Sequence, residues 1–189
     1  MNGLRPFVFN GVLTTQRLQE LTSSGIDVSG DDRVARDRVF DQQDFSPKIV
    51  HAAGKMAHVY ELLYCIENSA RSLIIDRLSE AHGANWWELA IPSKIQTKVD
   101  NLQKGEASRR YHTQRSSNQI GYTTFGQLSD IIITCWDEFA DLLPNQHWIQ
   151  SRFEDMEISR NIVMHTGELP DQEVARIRQI AKDWVQQVG

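Results

Sequence analysis

From Pro47 onward, apolar residues recur at intervals of three and four: Ile49, Val50, Met56, Val59, Leu62, Leu63, Ile66, Ala70, Leu73, Ile74 and Leu78. This period puts them on one face of a single long helix over residues 47–82. Gly54 weakens its first half and can bend it, and His82-Gly83 has the composition of a helix stop. Pro92 blocks continuation, so residues 93 to about 104 predict a separate, shorter helix. Thr124-Phe125-Gly126-Gln127 has capping-box spacing, with threonine as cap and glutamine three residues later, ahead of an apolar run over residues 128–143. Pro144 closes that run, and a helix from about Gln146 stops near Thr166-Gly167. Pro170 suits the first turn of a last helix over residues 171–188, whose acids come early as the helix dipole prefers. Four to five helices joined by short turns, with no period-two run after residue 47, predict an all-α bundle.

The first 45 residues read differently. Phe7-Val8-Phe9 ends at Asn10-Gly11, the pattern of a short strand and turn, and residues 13–21 suit a short helix before a Gly- and Asp-rich stretch over 23–32. Residues 1–45 are therefore expected to be a loosely packed N-terminal extension, suited to covering the bundle or mediating self-association. Residues 46–189 form the bundle.

A chain of 189 residues suffices for a core that needs no disulfides. Its 40% hydrophobic and 24% charged residues are those of an ordinary globular protein. No apolar run approaches the ~18 residues of a membrane span, and the N-terminus lacks the pattern of a secretory signal. A cytoplasmic location without membrane association is expected. The two cysteines, Cys65 and Cys135, sit in apolar helical contexts and read as buried free thiols. His51 and His58 share a helical face without a carboxylate at ligand spacing, and no Glu-x-x-His occurs, so neither a metal nor another cofactor is expected. The five tryptophans read as core or helix-contact residues, with Trp86-Trp87 plugging one end of the bundle. Phosphate loops, Gly-x-Ser-x-Gly and His-Glu-x-x-His are all missing, which excludes the chemistries they serve.

A net charge of −5 argues against coating nucleic acid by bulk attraction. RNA contact must then be local. Arg109-Arg110-Tyr111-His112-Thr113-Gln114-Arg115 is a basic stretch with an aromatic inside it, and Arg109, Arg110, Tyr111 and Arg115 can track phosphates and stack a base. The plainer alternative is a solvated loop.

The chemical hypothesis comes from Arg160-Asn161-Ile162-Val163-Met164-His165. On a helix Asn161 and His165 stand four apart on one face, with Arg160 beside Asn161. A guanidinium forks onto phosphate oxygens, and an imidazole with an ordinary pKa of about 6.5 gives or takes a proton at neutral pH. Together they are the minimum for metal-free cleavage of an RNA phosphodiester, with His165 moving protons and Arg160 stabilising charge on the phosphate. The alternative is structural: Arg160 caps carbonyls or pairs with Glu157, and His165 interacts with its helix C-terminus. Glu67 and Arg71, four apart, suit a surface ion pair, or Glu67 orients Arg160 from behind.

The signature resembles the Arg-x4-6-His motif of the HEPN superfamily (higher eukaryotes and prokaryotes nucleotide-binding), including the polar residue after the arginine. The run from Cys65 to Ile74 resembles the first core helix of such domains. Trp86-Trp87-Glu88, Ile91-Pro92, Tyr122-Thr123-Thr124-Phe125-Gly126 and the helix with Trp136 follow in an order resembling a branch found in RNA-processing and defence-type proteins. The likeness covers roughly residues 50–185. It implies a HEPN-like bundle acting as a metal-independent endoribonuclease, with Arg160, Asn161 and His165 as catalytic residues and RNA as substrate. It further implies a homodimer in which two signature helices share one cleft, in a toxin or antiphage defence setting with an inhibitory or effector protein partner. The alternative it leaves open is a catalytically inactive RNA- or protein-binding module. One departure stands out: the tyrosine that some members carry two residues after the histidine is Gly167 here.

Overall fold

The computed structural model describes residues 44–109 and 111–188. The strand and helix expected within residues 7–21 lie outside the described residues. The chain divides into two compact units, Met1–Lys55 and Met56–Gly189. In the first, Ser46 opens a helix: its carbonyl accepts the Ile49 N–H at 2.9 Å, and its hydroxyl accepts the same N–H at 3.4 Å.

The helices are α1 (Pro47–His82), a one-turn α2 (Trp86–Ala90), α3 (Ser93–Ala107), α4 (Phe125–Thr134), α5 (Gln146–Met164) and α6 (Asp171–Val188). Among the described residues there is no strand. The all-α expectation is met, with five long helices and a short one. Thr124 and Gln127 form the expected capping box of α4, the Gln127 carboxamide accepting the Thr124 N–H at 3.1 Å. Gln96 of α3 closes the end of α2 by donating to the carbonyls of Trp87 at 3.0 Å and Ile91 at 2.9 Å. Trp86 and Trp87 meet edge to face beside it.

Within the second unit, α1 buries Met56, Val59, Leu63, Ile66, Ala70, Ile74 and Leu78, the three-and-four spacing read from the sequence. These meet Phe125, Leu128, Ile131 and Ile132 of α4, Ile149, Phe153 and Met156 of α5, and Val174, Ile177 and Trp184 of α6. A chain of rings crosses this core. Phe125 and Phe153 lie 5.4 Å apart at 81°, and Phe153 and Trp184 lie 5.4 Å apart. The Trp184 indole then donates to the Ser69 hydroxyl at 3.0 Å, fastening α6 to α1. Met56 sulfur accepts the Leu169 N–H at 3.4 Å, so the start of α1 in this unit lies beside the chain that follows α5.

Two expectations are corrected. The apolar run over residues 128–143 is not one helix: α4 ends at Thr134 and the chain tightens into a 3-10 turn at Trp136–Glu138. A repeat of threes and fours is satisfied equally by successive turns, here the Phe139 N–H on the Trp136 carbonyl and the Leu143 N–H on the Phe139 carbonyl, both at 2.9 Å, with Phe139 and Leu143 still buried. Cys65 is exposed on the outer side of α1, whereas Cys135 is buried as expected. Its thiol donates to the Ala90 carbonyl at 3.4 Å, and burial pushes its pKa up.

Phe153 is 1% exposed and joins both ring contacts. Phe153→Ala is expected to cost about 3–5 kcal/mol of folding stability in denaturant titration; a loss below about 1 kcal/mol would show that the rings do not carry the core.

Candidate functional site

Asn145 starts α5, its side-chain oxygen accepting the Trp148 N–H at 2.8 Å. The helix buries Ile149, Phe153, Met156 and Ser159. That register brings Arg160 to the flank of the buried stripe, half-buried, and leaves Asn161 exposed. His165 is the exposed C-cap residue, its N–H on the Asn161 carbonyl at 3.1 Å.

The helix closes with a Schellman turn, Thr166 N–H on the Val163 carbonyl at 3.0 Å and Gly167 N–H on the Ile162 carbonyl at 2.8 Å. Thr166 takes φ 62°. For a β-branched residue the left-handed region costs about 1–2 kcal/mol, so strain is stored directly behind His165. Gly167 has no room for a side chain: a Cβ there would stand 2.6 Å from Ile162 Cγ2 and 2.9 Å from the Ile162 carbonyl oxygen. The family's tyrosine at this place would have to displace the turn itself.

Arg160 Nη1 donates to Asn161 Oδ1 at 3.3 Å. Among the described residues it forms no ion pair within 4.0 Å. Glu157, the acid that the structural alternative assigned to it, instead accepts the Gly126 N–H at 3.2 Å and so caps the N-terminus of α4. Successive residues advance about 100° around a helix, which puts Arg160 and His165 on either side of Asn161.

Behind Arg160 lies a cluster of charges. Arg71 Nη2 contacts Glu67 Oε1 at 2.6 Å and the Thr123 carbonyl at 2.8 Å, while Nη1 donates to Asn68 Oδ1 at 3.1 Å. The pair is not the surface contact expected, since its side chains are only 16% and 14% exposed. Glu67 pairs with Arg71 and also lies within the field of Arg160. Burial pushes the Glu67 carboxyl above its ordinary value of 4.5, overcoming the opposing pulls of Arg71 and Arg160, and the charge of Glu157 adds to the rise. Arg71 and Glu157 were visible in the sequence only as spaced charges; what made them part of this cluster is the crossing of α1 with α4 and α5.

The basic stretch between α3 and α4 divides. Arg109 is exposed, Tyr111 is 98% exposed, and Arg110 lies outside the described residues. Arg115 is engaged within the fold: Nε meets Glu106 Oε1 at 2.6 Å and its guanidinium lies 5.1 Å over the Tyr122 ring. The Glu106 carboxyl is held below its ordinary value first by the Arg115 N–H, and burial lifts the Tyr122 hydroxyl above its own. Arg115 therefore pins the loop, and among the described residues neither Arg109, Tyr111 nor Arg115 bonds to the signature.

Two measurements test this site. Because folded Glu67 holds its proton more tightly than unfolded Glu67, its contribution to stability is fully present below about pH 4.5 and is lost as pH rises through its folded-state pKa. The stability of wild type relative to Glu67→Gln should accordingly fall as pH climbs above 4.5; a pH-independent difference would refute the burial argument. Gly167→Tyr is expected to lose about 1–3 kcal/mol in thermal or denaturant unfolding, and an unchanged midpoint would show that the turn yields freely.

Comparison with known protein families agrees with an all-α bundle. The family model described as Swt1-like HEPN matches residues 61–189, which takes in α2 to α6 and most of α1. No curated protein matches the chain, and no solved structure does. No helix among the described residues is long and apolar enough to cross a membrane. With residues 61–189 matched and an all-α bundle carrying the arginine-histidine helix near its end, the chain belongs to the Swt1-like HEPN family of the HEPN superfamily.

Proposed function

We propose that this protein is a metal-independent endoribonuclease whose site is completed by a second copy of the chain. The observation that carries this reading is Arg160: half-buried at the end of α5, bonded to Asn161, and with no acid within ion-pairing distance among the described residues. An arginine left without a carboxylate partner beside an exposed amide and imidazole suits a phosphate.

In the reaction, the RNA's own 2′-hydroxyl attacks the adjacent phosphorus and the bond to the 5′-oxygen breaks, leaving a 2′,3′-cyclic phosphate and a 5′-hydroxyl. His165 takes the 2′-hydroxyl proton, and the His165 of a second copy protonates the leaving oxygen. Arg160 stabilises charge on the phosphorane, and Asn161 holds both the guanidinium and a phosphate oxygen. One chain supplies one imidazole for a step that uses an acid and a base, which is why an isologous homodimer belongs to the proposal. Glu67 acts from behind, within the field of Arg160 and paired with Arg71. Arg109, Arg110 and Tyr111 give RNA a second contact, while Arg115 keeps that loop in place. A cytoplasmic toxin or antiphage defence role, with an inhibitory or effector partner, fits this activity. The competing reading is an inactive RNA- or protein-binding module; the placement of Arg160 and His165 on opposite sides of Asn161 favours it wherever the chain acts as a monomer.

Labelled single-stranded RNA and tRNA incubated in EDTA decide between them. Wild type should release fragments ending in 2′,3′-cyclic phosphate, and folded Arg160→Ala and His165→Ala variants should each lose roughly 10²–10⁴-fold in rate. Equal activity in all three, or none in wild type, removes the catalytic reading.

A further inference from the structure

Tyr60 and Tyr64 have no role in the site as described. They are 44% and 57% exposed, with ring centroids 6.2 Å apart and planes tilted by 47°. Tyr60, Tyr64, Glu67 and Arg71 follow one another along α1 at intervals of four, three and four, which confines them to about 60° of the helix circumference. The lower half of this stripe, Glu67 and Arg71, faces the signature helix and the start of α4.

Two observations fix the height of the upper half. Met56 meets Leu169 beyond the end of α5, and Arg71 bonds to the Thr123 carbonyl beside the α4 N-terminus that Glu157, one turn before Arg160 on α5, caps. The two helices therefore run antiparallel. By rise along α1, Tyr60 and Tyr64 fall between those levels, at the height of the last turn of α5 and the His165 cap. At 1.5 Å per residue Tyr64 stands about 4.5 Å and Tyr60 about 10 Å along the axis from Glu67. Two exposed π-faces in succession thus lead away from a guanidinium that forms no ion pair within 4.0 Å among the described residues.

We propose that Tyr60 and Tyr64 form a stacking platform for unpaired bases of single-stranded RNA whose backbone phosphate is held at Arg160. This rests on the phosphate-binding reading of Arg160 and names the substrate class for that site. Aromatic faces beside a cation are the means by which proteins hold single strands without reading sequence, and bases paired in a duplex cannot reach such faces. A second copy of the chain is the less suitable occupant. The exposed aromatic stripe is only two rings long and passes into the charged Glu67 and Arg71, where a stable dimer needs roughly 600–1,000 Å² of continuous surface from each partner.

The test is fluorescence anisotropy in EDTA with a labelled single-stranded RNA and a duplex of the same sequence, using the full chain. The Tyr60→Ala, Tyr64→Ala double variant is expected to bind the single strand about 10- to 100-fold more weakly, with an unchanged salt slope and unchanged duplex affinity. Tyr→Phe at both positions should restore binding. Arg160→Ala should weaken both ligands and reduce the salt slope by about one phosphate contact. In parallel, photocrosslinking of a 5-iodouridine oligomer to wild type should label the peptide carrying Tyr60 and Tyr64, a readout that needs no variant to fold. If wild type binds and the alanine variant binds equally, or if crosslinks form only elsewhere, the platform is refuted and the Arg160 site stands. A double variant whose sedimentation shows a changed oligomeric state assigns the rings to a second copy and overturns the proposal. Wild type that binds no RNA overturns both readings.

Discussion

Arg71 carries a guanidinium that the fold has largely removed from water, and the arrangement of the candidate site follows from the partners its two terminal nitrogens take, its buried Nε having none among the described residues. It binds Glu67 and Asn68 on its own helix and reaches across to the Thr123 carbonyl. That last bond sets the residue from which α4 begins, since Thr124 is its cap. The N-terminus so placed is then capped by Glu157 of α5 through Gly126. With Glu157 committed to a backbone amide, Arg160, one turn later on the same helix, bonds to Asn161 and forms no ion pair among the described residues. A buried pair of this kind adds little net stability, because desolvation offsets most of its attraction. Its effect here is on register: it couples three helices so that one arginine is consumed by the fold and another is not.

The end of α5 concentrates two further constraints. A threonine holds the left-handed position that glycine would occupy without strain, and the glycine comes one residue later, where a Cβ would strike Ile162. Together they stop the helix directly after His165. The imidazole is thereby presented at a cap, with Thr166 donating its hydroxyl to the His165 carbonyl at 2.6 Å. Backbone strain of this kind persists where the surrounding packing holds a conformation that local propensity disfavours.

Much of this was legible in the chain itself. The limits of α1, α5 and α6, the capping box at Thr124 and the signature at Arg160-Asn161-His165 follow from local rules: period, caps, prolines and residue chemistry act over a few positions and are written there. The failures have a common origin. The apolar run 128–143 carried a helical period that a series of turns satisfies as well, and the exposure of Cys65 depended on which side of α1 its neighbours cover. Arg115, one of four residues in a basic stretch, is bound to an acid nine positions away and lies over a tyrosine seven positions on, partners that no spacing rule singles out.

The sequence by itself determined the all-helical class and the family, because those depend on short-range periodicity and intrinsic chemistry. Only the tertiary structure decided the burial that lifts the Glu67 carboxyl, the diversion of Glu157 to Gly126, and the exposure of Tyr60 and Tyr64. Each of these arises where helices distant in sequence cross. There, desolvation and the allocation of a limited set of hydrogen-bond partners are settled by which faces meet, a long-range outcome that no local window of residues encodes.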